Sequence, residues 1–332
     1  EDWGRIDAME VLNLAEEQFR PSPDRIYLTG HSMGGHGTWI LGATYPGKWA
    51  AIAPCAGYPS LLGYASADGK IPQPGNTIQE QNLYRASNGS NVFELARNYA
   101  ASGVYIHHGD DDQTVSVEYA RQMREVLGKF HTDFCYYEYP GGSHWWSNES
   151  VDWPPLFSFF RHHRLIPADQ RNHIDFTTAN PAVSATFAWV TILQQEEPLN
   201  YSRVRLTRDP GKGTITGETE NTTALTLDLS QMKGQMVTLE IDGSRLEIPL
   251  PGNGGTLTLL RKGTTQQGIP TPPGRDAGWE QGTPPGAEQK GLHRNGTFKE
   301  PFNHRMVFVY GTSGTREENA WALTKARFDA ET

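Results

Sequence analysis

The sequence predicts an α/β fold with a partial parallel sheet, followed by an antiparallel β-sandwich-like region and a short C-terminal βα segment. Three observations predict it. Residues 1–165 alternate short, continuous apolar runs with helical stretches, the order expected when helices cover both faces of a parallel sheet. Residues 174–261 repeat short alternating segments between turn residues, as antiparallel strands packed face to face do. The end of the chain, RMVFVYGTSGT and then REENAWALTKARFDAE, reads as one strand, a glycine turn and one helix.

The elements follow in order. Ala8, Val11, Leu12, Ala15 and Phe19 recur at helical spacing, and Pro21 and Pro23 end that helix. RIYLT (25–29) is a β-rich run leading directly into a glycine-rich turn, and a helix is expected from His36 to Tyr45, stopped by Pro46-Gly47. WAAIAPCAG (49–57) reads as a buried strand. Residues 58–91, rich in Gly, Ser, Asn and Pro, read as a long surface excursion. A helical piece is expected around Val92 to Asn98, then strand VYIHH (104–108), a helix from Val117 to Phe130, and strand FCYYEY (134–139). Beyond Pro167 the alternating segments are FAWVTI, SRVRLT, TALTLDL, MVTLEIDG and TLTLL. The expected divisions are therefore 1–166, 167–262, a Pro/Gly-rich connection over 263–300, and a further βα unit starting at 301.

Composition sets outer limits. The chain has 332 residues, enough for two domains, and a net charge of −9 with no basic run, which argues against nucleic acid as a partner. No apolar run approaches the length of a bilayer span, so membrane insertion is not expected. The two cysteines, Cys55 and Cys135, lie in apolar strand-like runs and read as buried thiols. Sequons occur at Asn88, Asn148, Asn200, Asn221 and Asn295, a pattern too common to fix a compartment.

GHSMGG (30–35) carries the chemistry. A G-x-S-x-G string alone arises by chance in roughly one chain in ten of this size, so its setting decides. Here a strand runs into the turn and a helix starts behind it, the arrangement that strains a serine backbone and exposes its hydroxyl above a sheet. Gly30 and Gly34 flank Ser32 where side chains are expected to clash, and Met33 offers its backbone N–H to an oxyanion at a helix N-terminus. A serine needs a base, and the base needs an orienting carboxylate. On this fold those partners follow in the order Ser, Asp, His, each just past a later strand. HGDDDQTV (108–115) and GGSHWW (141–146) stand at those two places, so Ser32 reads as a nucleophile with His144 as its base.

GHSMGG, HGDDDQTV and GGSHWW resemble the three catalytic motifs of α/β-hydrolases of the prolyl oligopeptidase type and their esterase relatives. The resemblance covers about residues 1–165. It implies that the acid lies four residues after the histidine of H-G-x-x-D-x-x-V, which selects Asp112, with Asp110 and Asp111 as alternatives. It implies a serine hydrolase acting on a peptide or ester through an acyl-enzyme, with no cofactor. A prolyl-oligopeptidase-type peptidase is the leading expectation and a carboxylesterase of acetyl, feruloyl or polyester type the alternative. An inactive carbohydrate- or protein-binding scaffold is the reading of another class. An extracytoplasmic location is favoured by the same resemblance.

The chain departs from that family in having one helix and one strand before the elbow, where several strands are usual. It therefore reads as the C-terminal portion of such a domain, with an unpaired apolar edge on strand 25–29 whose partner is expected either in the missing N-terminal part of the same polypeptide or in a half supplied from elsewhere. In this sheet Cys55 and Cys135 would stand about 9.5 Å apart, two ladder spacings, beyond the ~7 Å a disulfide tolerates between Cα atoms. No metal is expected, because the neighbours His107-His108 point to opposite faces of a strand and His162-His163 form no chelating pair. His31 is expected to pack or hydrogen-bond near the serine. Tyr58 and Trp145 are candidate substrate contacts, and Trp146 and Trp153 read as aromatic wall or core. GTSGT (311–315) reads as a plain βα connection.

Overall fold

Apolar continuity and turn chemistry place the strands that carry the site. Tyr27–His31 forms β1, Ala51–Cys55 β2, Gly103–Gly109 β3 and Phe134–Tyr139 β4, paired in the order β1-β2-β3-β4. All three pairings are parallel. In this computed structural model the described residues are 2–64, 70–250, 255–262, 278–294, 305, 307 and 309–331. They cluster into two compact units, Glu1–Asn295 and Gly296–Thr332.

Helices cover the sheet as the pattern predicts. α1 (Asp2–Phe19) sets Ala8, Met9 and Leu12 against the core. α2 (Met33–Thr44) begins immediately behind Ser32, three residues earlier than its apolar pattern shows, because its first turn is spent on the glycine-rich approach to the sheet. α4 (Glu118–Leu127) buries Tyr119, Ala120, Met123 and Leu127, a helical stripe, and α5 (Pro154–His162) opens on two prolines and buries Leu156 and Phe160.

Some expectations are corrected. The excursion 58–91 contains α3 (Ile78–Ala86), started by a capping box between Thr77 and Glu80 and burying none of its residues. Its large apolar residues Ile78 and Leu83 are exposed and five positions apart, so no helical stripe marks it for a periodicity search. The expected helical piece at 92–98 is a 3-10 turn over Ala96–Ala101. β4 is half-exposed along its length because it stands at the sheet edge, so Cys135 is exposed, whereas Cys55 is fully buried; both are free thiols. β1 forms the other edge, with half-buried residues.

The second half is two five-stranded sheets facing a common core. Their strands are β5 (His173–Thr178), β6 (Thr186–Phe187), β7 (Val190–Gln195), β8 (Ser202–Asp209), β9 (Thr214–Glu220), β10 (Thr222–Asp228), β11 (Met236–Ile241), β12 (Ser244–Pro249), β13 (Thr256–Arg261) and β14 (Trp279–Gly282). The orders are β14-β13-β10-β7-β6 and β12-β11-β9-β8-β5. Ile174, Phe176, Val204, Leu206, Leu225, Leu239 and Leu259 fill the space between them. Antiparallel pairing has one exception, since β9 and β11 run parallel. FAWVTI is split by a tight turn at Ala188, which has a φ of 51°, into β6 and β7. Residues 279–282, expected within a connection, pair with β13 because Trp279 is drawn into the core under the Arg261 guanidinium.

In the second unit, α6 (Arg316–Glu331) is capped by reciprocal bonds between Thr315 and Glu318. Asn319 closes the GTSGT turn on the carbonyls of Thr312 and Gly314. The strand expected over 305–310 lies partly outside the described residues, and those described there are not in a strand.

Candidate active site

The elbow forms because β1 and α2 meet at a single residue. Ser32 has φ 58° and ψ −114°, a left-handed conformation that an L-residue holds only under constraint. Its N–H donates to Cys55 O at 2.9 Å and its carbonyl accepts from His36 N at 2.9 Å, so both neighbouring elements grip it. Gly30 is obligatory: a Cβ there would stand 2.5 Å from Gly34 O and 2.9 Å from its Cα. The expected clash at Gly34 is absent, since a Cβ there would meet nothing within 4 Å. Gly34 contributes the backbone that Gly30 must pass, and its own Cα substituent points into open space. Met33 opens α2, with its side chain 75% exposed and its backbone N–H at the positive end of the helix.

Three side chains from three strand ends converge on this turn. Ser32 Oγ lies 2.8 Å from His144 Nε2, and His144 Nδ1 lies 2.8 Å from Asp112 Oδ2. The loops bearing Asp112 and His144 follow β3 and β4, which pair from Val104↔Phe134 to Gly109↔Tyr139. They touch at Gly109, where a Cβ would come within 2.2 Å of Gly142 O.

Asp112 is the one aspartate of its triplet directed at His144. Asp110 accepts from Gly141 N at 2.6 Å and Asp111 from the Gln113 amide at 3.0 Å, and both are exposed. Asp112 is buried, and burial by itself would raise its carboxyl. Hydrogen bonds from His108, His144 and the N–H groups of Val115 and Thr114 outweigh that and hold it well below the usual carboxylate range. It therefore faces the imidazole as an anion.

His108, the motif histidine four residues before Asp112, contributes to the site as well. Its Nε2–H donates to Val115 O at 2.9 Å and lies 3.3 Å from Asp112 Oδ2, which leaves the carboxylate between two imidazoles. The signal was its place four residues before Asp112. His107, next in the chain, points to the other face, stacked on Trp153 at 5.4 Å and edge-on to Trp146 at 5.1 Å. Among the described residues no group of three or more His, Cys, Asp or Glu is arranged to hold a metal ion.

The remaining candidates divide. Trp145 is 59% exposed beside His144 and lies against His31, ring centroids 3.9 Å apart and planes tilted by 31°. Tyr58 is 5% exposed, its ring held between His36 and Tyr64, so it is packed within the wall rather than presented at the mouth. Trp153 donates to the Tyr105 hydroxyl and Trp146 stacks on Tyr139, which makes both part of the packing under the site. Burial pushes the Cys55 thiol up to about 12, so it stays protonated and takes no part as a nucleophile.

Comparison with known proteins gives a match of residues 1–158 to a family model described as "Putative esterase". An uncharacterized secreted protein of Arthroderma benhamiae is 34% identical over 120 residues, covering 36% of this chain and 13% of that protein. This chain thus spans about an eighth of the curated relative's length. Among solved structures, a thermostable esterase has TM-score 0.33 and 19% identity, covering 48% of this chain and 36% of its own. A puromycin-hydrolyzing peptidase of Mycobacterium tuberculosis has TM-score 0.35 and 21% identity, covering 42% of this chain and 21% of its own. With its parallel sheet and strained elbow serine, the N-terminal half of the chain has an α/β fold and is similar over residues 1–158 to that esterase family.

Proposed function

We propose that the chain is a serine hydrolase that cleaves a carboxylic ester through Ser32, His144 and Asp112. The observation that carries this reading is the unbroken chain of two 2.8 Å hydrogen bonds from the elbow hydroxyl through the imidazole to an anionic carboxylate. The chemistry follows from it. His144 Nε2 takes the Ser32 proton as Oγ attacks the carbonyl carbon, and the carbonyl π pair moves onto oxygen. The Met33 N–H at the start of α2 faces that developing charge. Collapse expels the alcohol, which receives the proton from His144, and leaves an acyl-serine. Water then attacks with His144 again as base, releasing the acid and restoring Ser32. Asp112 keeps the His144 proton on Nδ1 and stabilises the imidazolium formed in each half-reaction.

The esterase family match favours an ester as substrate. A peptide amide is the second reading, supported by the likeness of GHSMGG, HGDDDQTV and GGSHWW to prolyl-oligopeptidase motifs, since the acyl chemistry is shared. We also infer an extracytoplasmic setting, which the curated relative's description as a secreted protein supports. Hydrolysis of p-nitrophenyl acetate and of a chromogenic peptide, measured side by side, tests the assignment. The expected result is ester turnover that falls by at least about 10⁴-fold in Ser32→Ala. Peptide cleavage without ester cleavage would overturn the substrate class, and equal rates in wild type and Ser32→Ala would overturn the mechanism.

A further inference from the structure

His144 sits in a loop that, between β4 and α5, holds only one short 3-10 turn (Asn148–Ser150). Its backbone must nonetheless be fixed to within a fraction of an ångström, since a misplacement of about 1 Å can cost a factor near 10² in rate. Asp112 grips the ring of His144. The main chain is gripped by His31: its Nε2 lies 2.8 Å from the His144 carbonyl oxygen, which can only accept, so the imidazole donates. The His31 ring also lies against Trp145, centroids 3.9 Å apart and planes inclined by 31°. Two consecutive residues of the loop are thus held by one side chain. His31 is the last residue of β1 and directly precedes Ser32, so this hold joins the base's backbone to the nucleophile's own strand.

We propose that His31 is a positioning residue, a strap that ties the His144 loop to the nucleophile elbow and keeps Nε2 of the base in register with Oγ of the serine. The proposal rests on the reading of Ser32, His144 and Asp112 as the catalytic triad. The geometry excludes His31 from acting as the base itself, because its Nε2 is committed to a carbonyl. Its Nδ1 is buried without a hydrogen-bond partner, a position that a bare lone pair tolerates far better than an N–H would. Burial and the neighbouring His144 both hold its ring below the ordinary histidine range, so it stays neutral when His144 becomes charged. A strap that gained charge would repel the imidazolium it supports.

The test uses the full chain as wild type, His31→Phe and His31→Gln. Phenylalanine keeps a ring against Trp145 and loses the donor, whereas the glutamine amide can still reach the His144 carbonyl. Two readouts are taken: kcat and KM for p-nitrophenyl acetate, and the rate of labelling by a fluorophosphonate. The expected result is a kcat lower by about 10- to 100-fold in His31→Phe, with KM within about threefold and labelling slowed in parallel. His31→Gln is expected to recover kcat to within about fivefold of wild type. A purely structural role would alter melting temperature without separating kcat from KM and without rescue by glutamine, and that outcome would overturn the proposal. So would equal labelling rates in His31→Phe and wild type. A wild-type chain that takes no label removes the triad reading itself, and the role of His31 with it; a labelled wild type matched by His31→Phe removes the strap alone.

Discussion

At the scale of single residues, burial and hydrogen bonding decide the charge of each group around Ser32, and acid titration separates them. Burial, helped by the adjacent His108, pushes His107 down to about 4. An unfolded histidine takes up its proton near pH 6.5. Between those values the unfolded chain is protonated and folded His107 is not, so unfolding absorbs a proton and stability falls as pH drops. His31 and His131, also held down chiefly by burial, act in the same direction. Asp112 has the depressed carboxyl, so its contribution is intact above the unfolded carboxylate value near pH 4 and is lost only on further acidification. His107→Phe, an aromatic replacement within an aromatic stack, is therefore expected to flatten the decline in melting temperature between about pH 6.5 and 4.5 by several degrees. Parallel declines in variant and wild type would contradict this. Much of the residue scale was legible in the sequence, because Ser32, Asp112 and His144 each follow a strand within a short local motif. That His31 packs and hydrogen-bonds beside the serine was legible too, but its partner was not, since that bond spans 113 residues, and the bond of His108 depends on how the chain turns after Asp112. Gly34 was misread because a glycine next to a tight turn need not be the one that is crowded.

At the scale of elements, what brings Asp112 to His144 is the close approach of the β3 and β4 ends. The distance of 2.2 Å from a Cβ on Gly109 to Gly142 O is a clash with backbone, which has no flexible side chain to yield. Gly109→Ala is expected to spread the Asp112 and His144 loops, lowering kcat for p-nitrophenyl acetate by about 10²-fold. Gly37→Ala in α2, where a Cβ meets nothing within 4 Å, serves as the comparison and is expected to cost no stability, because alanine favours helix by up to about 1 kcal/mol. Equal activity in Gly109→Ala and wild type, measured with both melting temperatures, would contradict the account. The parallel strands were readable because apolar residues run continuously along them. α3 was not, because its one mark is the Thr77–Glu80 box and its apolar residues Ile78 and Leu83 form no helical stripe. The split of FAWVTI was equally hidden, since a two-residue turn through Ala188 leaves the apolar pattern unbroken.

At the scale of the first compact unit, the parallel sheet with its helices and the β-sandwich are joined through buried polar groups that only the assembled chain satisfies. Asn98, 1% exposed, donates to Ala43 O at 2.7 Å and Thr177 O at 2.8 Å and accepts from Thr177 N at 2.9 Å. Removing it strands several buried backbone groups at once, each worth about 1–3 kcal/mol. Asn98→Ala is expected to lower the melting temperature by roughly 5–10 °C, and Asn88→Ala, whose amide donates one bond to Leu199 O, by clearly less. Equal shifts in the two variants would count against a polar joint at Asn98. Sequence patterning indicated a sandwich-like second half, but not the parallel pairing of β9 with β11 or the recruitment of Trp279, because strand partners are chosen by tertiary packing rather than by local period. The central claim spans all three scales: strands far apart in the chain assemble an activated Ser32. Treating the whole chain with a fluorophosphonate and mapping the adduct by peptide mass spectrometry tests it most directly. One adduct on Ser32, abolished in His144→Ala, is the predicted result; no adduct, or an adduct on another residue, would contradict it.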